Sequence, residues 1–376
     1  MKPELEKLVA AWKAHKDYRG QIVHEQIIPA RRARYAALEP PLPEPLQRNL
    51  RALGIKKLFT HQARAIELLR QGRDVVVVTE TASGKSMCYH LPVLETLLAD
   101  PDARALYLFP TKALAQDQSR ALHAHIDPNA EFNELKNFHA PRIMDRRIAF
   151  GTYDGDTPGE DRAAIRSTAG ILLTNPDMLS LGILPNHSRL WTKFFARLKF
   201  VVVDELHVYR GVFGSHVANV MRRLERICAF YGSKPQYICC SATTANPAEH
   251  SALLLRREPA AITESGAPSA RKTFLLWNPP VTNELLGARA SSLNECVALF
   301  ADLVRAGART IVFARAKPTV ELILRFTRDR LKDIPEDQCA IAPYRGGYLP
   351  SDRRMIEKQL SEGALHGVTC TNALEL

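Results

Sequence analysis

The sequence contains few cysteines, and none has a metal-binding spacing. Seven are scattered along the 376 residues, and no two of them form a C-x-x-C pair. This distribution therefore gives no metal signature. An odd number of cysteines without a pattern indicates a reducing compartment.

Long apolar runs are also missing. No segment approaches the roughly 20 apolar residues that a membrane-spanning helix needs. The first residues are polar and charged, so the chain shows no signal peptide. From these absences we expect a cytoplasmic protein without a membrane partner.

What is present is an ordinary globular composition with a basic excess. Hydrophobic residues make up 46% of the chain, and its length predicts two or three domains. The net charge is +11 and the pI is about 9.4. Both values suit a polyanionic partner. Many proteins are mildly basic, however, so charge alone leaves a nucleic-acid partner open.

The most informative stretch is Asp74–Ser86. Four consecutive valines, Val75–Val78, predict a fully buried parallel strand. A loop of small residues follows, and then a predicted helix with Lys85-Ser86 at its start. Backbone amides at a helix N-terminus attract phosphate. In such a loop the lysine reaches the β- and γ-phosphates and the serine hydroxyl binds Mg²⁺. We therefore predict a phosphate loop for ATP and Mg²⁺, formed by Thr81, Ala82, Ser83, Gly84, Lys85 and Ser86.

One feature of this loop departs from the usual pattern. A phosphate loop favours glycine early in the turn, and this chain has Thr79 and Ala82 there. Ala82 must therefore adopt a loop conformation without the freedom of glycine. A structural strand–turn–helix is the alternative explanation. The buried strand and the amphipathic helix that flank the loop favour nucleotide binding.

A second strand ends in two carboxylates. Phe200–Val203 is apolar and leads directly into Asp204 and Glu205. The first carboxylate can hold Mg²⁺, and the second can orient and deprotonate an attacking water. A charged strand terminus is the ordinary alternative, and the upstream phosphate loop argues against it.

Other polar groups occur where strands end or helices begin. Gln62 lies in a predicted helix that Thr60 would cap, and a glutamine amide can pair with both hydrogen-bonding edges of adenine. Carboxyl ends of parallel strands meet at one edge of a sheet, where ligands bind. The polar residues predicted at this edge include Thr111, Lys112, Thr152, Asp154, Thr174, Ser241 and Thr243. Residues 124–147 are polar and irregular, and we predict a loop or an insertion there. We expect the basic run Arg31–Tyr35 to be a solvated face rather than a phosphate contact.

A second α/β pattern begins near Leu293, after a stretch rich in Pro, Gly and Ser. The chain stops before this pattern completes a second sheet. The predicted domains are an N-terminal extension over 1–50, a first α/β domain over 51–265, a linker over 266–290 and an incomplete second α/β domain over 291–376.

The ordered motifs resemble the motor of superfamily-two DExH-box helicases. They are Gln62, Gly84–Ser86, Pro110–Lys112, Asp204–His207 and Ser241–Thr243. Finer strings, such as Tyr153–Pro158 and Tyr344–Tyr348, are similar to the MrfA-like DNA-repair subfamily. In that subfamily, Ala82 of the phosphate loop is normal. The fold class implied is an α/β P-loop NTPase with a RecA-like parallel sheet.

The resemblance also implies roles for individual residues. Gln62 reads adenine, Lys85 and Ser86 hold phosphate and Mg²⁺, Asp204 supports the metal and Glu205 activates water. His207 with Ser241, Ala242 and Thr243 couples hydrolysis to movement. Residues bordering the nucleic-acid track or the cleft are Thr111, Lys112, Thr152, Asp154, Thr174, Arg315, Arg345 and Thr371.

From this pattern we expect an ATP-dependent motor that moves along nucleic acid, DNA more than RNA. Such motors use an arginine finger, worth about 10³–10⁵ in rate, in a segment expected beyond Leu376. The subfamily also has a cysteine-rich C-terminal module, which we do not find in the pattern of residues 1–376. We therefore expect weak nucleotide binding and little hydrolysis from residues 1–376. An RNA motor and a non-catalytic nucleic-acid-binding fragment stay open as alternatives, and the sequence does not determine the oligomeric state.

Overall fold

A computed structural model describes residues 5–374 of the chain. The chain divides into two compact units. The central unit is Ala30–Ala270, and the terminal unit joins Met1–Pro29 to Arg271–Leu376. The domain limits predicted from the sequence stay a prediction.

The helices within the described residues are α1 (Leu5–Ala14), α2 (Glu44–Ala52), α3 (Thr60–Arg70), α4 (Met87–Ala99), α5 (Lys112–Ile126), α6 (Gly159–Thr168), α7 (Pro176–Met178), α8 (His187–Leu190), α9 (Thr192–Ala196), α10 (Gly211–Phe230), α11 (Pro247–Leu255), α12 (Ser292–Arg305), α13 (Lys317–Arg330), α14 (Glu336–Cys339) and α15 (Pro350–Glu362). The strands are β1 (Ile22–Ile28), β2 (Tyr35–Ala36), β3 (Leu58–Phe59), β4 (Val75–Val78), β5 (Arg104–Leu108), β6 (Phe138–His139), β7 (Arg142–Ile143), β8 (Arg146–Arg147), β9 (Phe150–Thr152), β10 (Ile171–Thr174), β11 (Leu198–Val203), β12 (Gln236–Ser241), β13 (Ala260–Ile262), β14 (Lys272–Trp277), β15 (Val281–Asn283), β16 (Ala288–Arg289), β17 (Thr310–Phe313), β18 (Ile341–Tyr344) and β19 (Gly367–Cys370).

The central unit is built on an eight-stranded sheet. Its strand order is β13-β4-β12-β11-β5-β10-β9-β6. All neighbouring strands are parallel except β6, which pairs antiparallel with β9. The carboxyl ends of β4, β12, β11 and β5 therefore lie side by side. The predicted α/β class and P-loop fold are confirmed.

Both faces of this sheet are covered, which explains why its strands are continuous apolar runs. Side chains alternate along a strand, so Val75 and Val77 enter the core with α3, α4 and α5. Val76 and Val78 enter the opposite core with α9, α10 and α11. All four valines are buried. The run Val75–Val78 thus ties the phosphate loop to two hydrophobic cores at once.

Two local predictions differ from the structure. The polar segment 124–147, predicted as a loop, contributes the short strands β6, β7 and β8. β6 is an edge strand of two residues, too short for its alternation to show in the sequence. The helix cap predicted at Thr60 lies one residue earlier, at Phe59, because the Gln62 side-chain oxygen accepts the Phe59 amide at 2.9 Å.

The terminal unit contains a smaller parallel sheet in the order β17-β19-β18. α12 and α13 pack on it through Val297, Phe300 and Ile323. β1 pairs antiparallel with β14, and the Trp12 indole of α1 donates to Asp302 Oδ2 at 2.9 Å. The first described residues therefore belong to this unit. Within the described residues, no helix combines the length and apolarity needed to cross a bilayer.

A group of buried histidines lies on the α4 and α5 side of the central sheet. His90 and His125 have ring centroids 5.4 Å apart, and His139 stacks on Phe150 at 5.1 Å. Burial lowers the pKa of His125 to about 4 and that of His139 to about 4. The pKa of His90 is also well below its usual value, chiefly because of burial. The folded chain therefore holds these imidazoles neutral.

We predict that stability falls as the pH drops from about 6.5 towards 4. In the unfolded chain these histidines bind protons near pH 6.5, whereas the folded chain resists protonation down to about pH 4. Between pH 7 and 5, His125 alone should account for a loss of about 2 kcal/mol in the free energy of unfolding. Urea unfolding across this range measures the slope, which should be shallower in His125→Phe. Equal slopes in the two proteins would contradict the assignment.

Candidate nucleotide-binding site

The phosphate loop connects β4 to α4. Ser86 is the N-cap residue of α4, and Met87 begins the helix. The hydroxyls of Thr79 and Ser83 lie 2.6 Å apart across the loop. Lys85 Nζ donates to the carbonyl oxygens of Thr79 at 2.9 Å and Glu80 at 3.0 Å. The ammonium group is therefore held over its own loop, at the edge where β4 ends.

Gly84 allows close contact between the loop and α3. Its φ is +75°, and a Cβ there would lie 2.7 Å from Gln62 Nε2. That nitrogen donates to the Gly84 carbonyl at 3.0 Å. Because the Gln62 oxygen caps α3, both ends of this buried amide are bonded within the protein. Adenine reading by Gln62 stays a prediction.

Two other residues of the site have unusual backbone conformations. Ala82 has φ +61° and Glu205 has φ +49°, both in the left-handed region. A side chain with a Cβ is strained there, by about 1–2 kcal/mol. The departure from glycine noted in the sequence therefore has a structural counterpart at Ala82.

The acid pair follows β11 at the same edge. β12 alone separates β11 from β4, so the acids and the loop start from strands about 10 Å apart. Asp204 is buried. Burial, followed by repulsion from Glu205, raises its pKa to about 6. Burial also raises the pKa of Glu205. The Lys85 charge acts against both shifts, as a cation at the same edge of the sheet would.

The donor set at this edge suits magnesium. Within residues 5–374, no cluster of three His, Cys, Asp or Glu side chains forms a metal cage. Mg²⁺ keeps several waters and needs only one or two carboxylates alongside phosphate oxygens. Asp204 and the Ser86 hydroxyl are the residues that would hold it.

His207 connects the acid pair to the end of β12. Its Nδ1 lies 3.2 Å from Glu205 Oε2. The same nitrogen is 3.4 Å from Ser241 Oγ and 3.4 Å from the Ala242 amide. The structure therefore brings together the acid pair and the start of the segment Ser241–Thr243. Their predicted coupling role is not tested by this geometry.

The residues predicted on the nucleic-acid track of the central unit have different environments. Thr111 caps α5 through the Leu114 amide at 3.3 Å, and Lys112 forms an exposed ion pair with Asp156. Thr174 is buried, and its hydroxyl donates to the Tyr153 carbonyl at 2.6 Å. Thr152 and Asp154 are also buried. Lys112 is thus the most accessible of these side chains, whereas Thr111 holds the start of α5 and Thr174 bonds the backbone of the neighbouring segment.

The remaining predicted track residues lie in the terminal unit. Arg345 Nε donates to Glu321 Oε1 at 2.7 Å, and its guanidinium lies 4.6 Å from the Tyr348 ring centroid. Arg315 is exposed after β17, and Thr371 follows β19. Glu375 and Leu376 lie outside the described residues. The roles assigned to these residues stay predictions.

Sequence reasoning missed two contacts at the site. Arg31, expected in a solvated face, forms a bidentate pair with Glu80 of the phosphate loop, at 2.6 and 3.2 Å. The Tyr89 hydroxyl lies 2.9 Å from Asp204 Oδ2. No spacing in the sequence signals either contact, because the partners are 49 and 115 residues apart.

The fold and the site define a P-loop nucleoside triphosphatase. A Gly-Lys-Ser loop and an acid pair meet at the carboxyl edge of a parallel sheet, as the chemistry of this class requires. The DEAD/DEAH box helicase family matches residues 59–250, which is just over half of the chain. This chain belongs to the DEAD/DEAH box helicase family.

Several known proteins are similar to most of the chain. The uncharacterized ATP-dependent helicase YprA of Bacillus subtilis is 46% identical over 340 residues, covering 89% of this chain and 43% of its own length. ATP-dependent helicase HRQ1 of Saccharomyces cerevisiae is 41% identical, covering 98% of this chain and 33% of its own. A solved structure of the DUF1998 helicase MrfA bound to DNA has a TM-score of 0.88 at 43% identity. It covers 100% of this chain and 50% of that one.

These relatives confirm the predicted helicase and MrfA-like resemblance. The chain spans half or less of their length.

We predict that Ala82→Gly raises the stability of the chain. Glycine removes the left-handed strain of about 1–2 kcal/mol, and its greater freedom in the unfolded chain offsets about 0.4–1 kcal/mol of this. The net gain should be about 0.5–1 kcal/mol in chemical denaturation. Ala121→Gly, inside α5, serves as the control and should instead lose about 1 kcal/mol. A loss of stability in Ala82→Gly would contradict strain at this position.

Proposed function

We propose that this chain contains the ATP-binding and ATP-hydrolysing part of a DNA helicase motor. The observation that carries the proposal is the meeting of Lys85 with Asp204 and Glu205 at one sheet edge. A lysine charge beside two partly desolvated carboxyls is the arrangement that a metal–triphosphate group requires.

In this mechanism, Lys85 releases the carbonyls of its own loop and binds the β- and γ-phosphates. The backbone amides at the start of α4 contribute further donors to the phosphates. Ser86 and Asp204 would hold Mg²⁺, which would supply neutralisation of the charge on the transferred phosphate. Glu205 orients the attacking water and accepts its proton, and its raised pKa suits a general base.

The DNA partner is supported by the relatives and by charge. The similar MrfA structures contain DNA, one of them with AMPPNP. The net charge of +11 favours contact with phosphates. Such binding is salt-sensitive and largely independent of sequence. Work in DNA repair and a cytoplasmic location stay predictions from the sequence.

We predict that Lys85→Ala weakens nucleotide binding by about 10- to 100-fold. The variant loses charge-assisted hydrogen bonds worth about 1.5–3 kcal/mol. Titration of a fluorescent ADP analogue in excess Mg²⁺ measures the dissociation constant. The matched control is Lys199→Ala, because Lys199 is exposed near the amino end of β11, at the opposite edge of the sheet. Unchanged binding by Lys85→Ala would contradict the phosphate-loop assignment.

The motor function is tested by hydrolysis with single-stranded DNA and with RNA of the same sequence. We predict that DNA stimulates ATP hydrolysis more than RNA does. Glu205→Gln should reduce the rate by about 10²–10⁴-fold and leave nucleotide and DNA binding intact. Equal or greater stimulation by RNA would favour an RNA motor. Salt-sensitive DNA binding without any nucleotide binding by the wild-type chain would favour a non-catalytic binding module.

A further inference from the structure

A buried polar chain joins α4 and α5 to the acid pair. The Tyr89 hydroxyl lies 2.9 Å from Asp204 Oδ2 and 2.8 Å from the side-chain oxygen of Gln118. The same Gln118 oxygen lies 3.3 Å from His90 Nε2. Tyr89 and His90 are 0% exposed, so water does not reach their side chains. The polar atoms of these side chains can therefore find partners only within the protein.

The number of available protons sets the direction of the hydrogen bonds among Gln118, Tyr89 and Asp204. A tyrosine hydroxyl has one proton, and two acceptor oxygens cannot both receive it. An ionised carboxylate is the stronger acceptor, so the proton goes to Asp204. The Gln118 amide then fits when its nitrogen, which has two protons, takes the position facing Tyr89 and His90. In that position the nitrogen can donate one proton to the Tyr89 oxygen and the other to His90 Nε2 in the tautomer that leaves Nε2 unprotonated.

The second carboxylate oxygen of Asp204 is also held. Asp204 Oδ1 accepts the backbone amide of Glu205 at 2.8 Å. With Tyr89 on Oδ2, both oxygens of the buried carboxylate have a donor. A carboxylate bonded at both oxygens has a fixed plane. Its remaining lone pairs therefore have a set direction at the edge of the sheet where β4 and β11 end.

We propose that Tyr89, oriented by Gln118, is a positioning residue that sets the Asp204 carboxylate for Mg²⁺-dependent nucleotide binding. The inference rests on the proposed function and extends it. Tyr89 touches neither the nucleotide nor the metal in this scheme, and acts through Asp204. Partners that orient a metal-binding carboxylate typically change metal affinity by about 10–100-fold when removed.

A simple packing role is the competing explanation, and the chain offers a matched control for it. The Tyr107 ring lies 5.3 Å from the Tyr89 ring in the same core, and it is equally buried. Within the described residues, the Tyr107 hydroxyl has no hydrogen-bond partner. Tyr89→Phe and Tyr107→Phe therefore remove the same atom from the same core, and only the first removes a bond to Asp204.

The test compares nucleotide affinity with and without the metal. The dissociation constant of a fluorescent ADP analogue is measured in excess Mg²⁺ and in EDTA. The value in EDTA divided by the value in Mg²⁺ is the Mg²⁺ ratio, which reports how much the metal strengthens binding. No hydrolysis is needed. We predict that Tyr89→Phe lowers this ratio by about tenfold, mainly by weakening binding in Mg²⁺. Tyr107→Phe should retain the wild-type ratio. Thermal unfolding of both variants checks that the fold is kept.

The outcomes separate this inference from the proposed function. A wild-type ratio near one would contradict the magnesium site and the inference together. A normal wild-type ratio that Tyr89→Phe leaves unchanged would overturn the inference alone. An equal fall in Tyr107→Phe would also overturn it, because the effect would then come from packing.

The part played by Gln118 is tested by combining variants. Gln118→Leu should lower the Mg²⁺ ratio less than Tyr89→Phe does, because the hydroxyl can still reach Asp204. Added to Tyr89→Phe, it should produce no further change, since Gln118 acts through the hydroxyl. If the double variant lost the effects of both single changes on the Mg²⁺ ratio, Gln118 would not act on Asp204 through Tyr89, and this part of the inference would be wrong.

Discussion

The site depends on the parallel pairing of β4, β12 and β11. This pairing places the carboxyl ends of three strands at one edge, so that Lys85 acts on the charges of Asp204 and Glu205. Either chemical group alone would be an ordinary surface feature. Their proximity is what a metal–triphosphate group can use, and it arises from hydrogen bonds between main chains rather than from the reacting side chains.

The same edge concentrates unfavourable local features. Ala82 and Glu205 have left-handed backbones, and Asp204 is a buried carboxylate. Each costs free energy by itself. The two hydrophobic cores that cover the sheet hold these residues in place, and the buried valines of β4 contribute to both. Rigid packing behind the edge thus offsets strain at the edge, and the tyrosine and amide donors around Asp204 reduce the cost of its burial.

Much of the fold followed from local patterns. The runs at Val75–Val78 and Phe200–Val203 are continuous and apolar because both sheet faces are covered, and such runs are visible in a single sequence. The short strands within 138–147 were not predictable, since two-residue strands carry no periodic signal. The chemistry of the loop and the acid pair was predicted from residue type and spacing. The bonded state of the Gln62 amide was not, because it depends on how closely Gly84 approaches α3.

The sequence by itself determined which chemical groups are available: a Gly-Lys-Ser loop, two adjacent acids and the buried strands that deliver them. Those properties are local, because they depend on neighbouring residues and on strand periodicity. Only the tertiary structure decided how these groups are held. Tyr89 reaches Asp204 across 115 positions, and Arg31 reaches Glu80 across 49. Such contacts depend on strand order and helix packing, which no local pattern records.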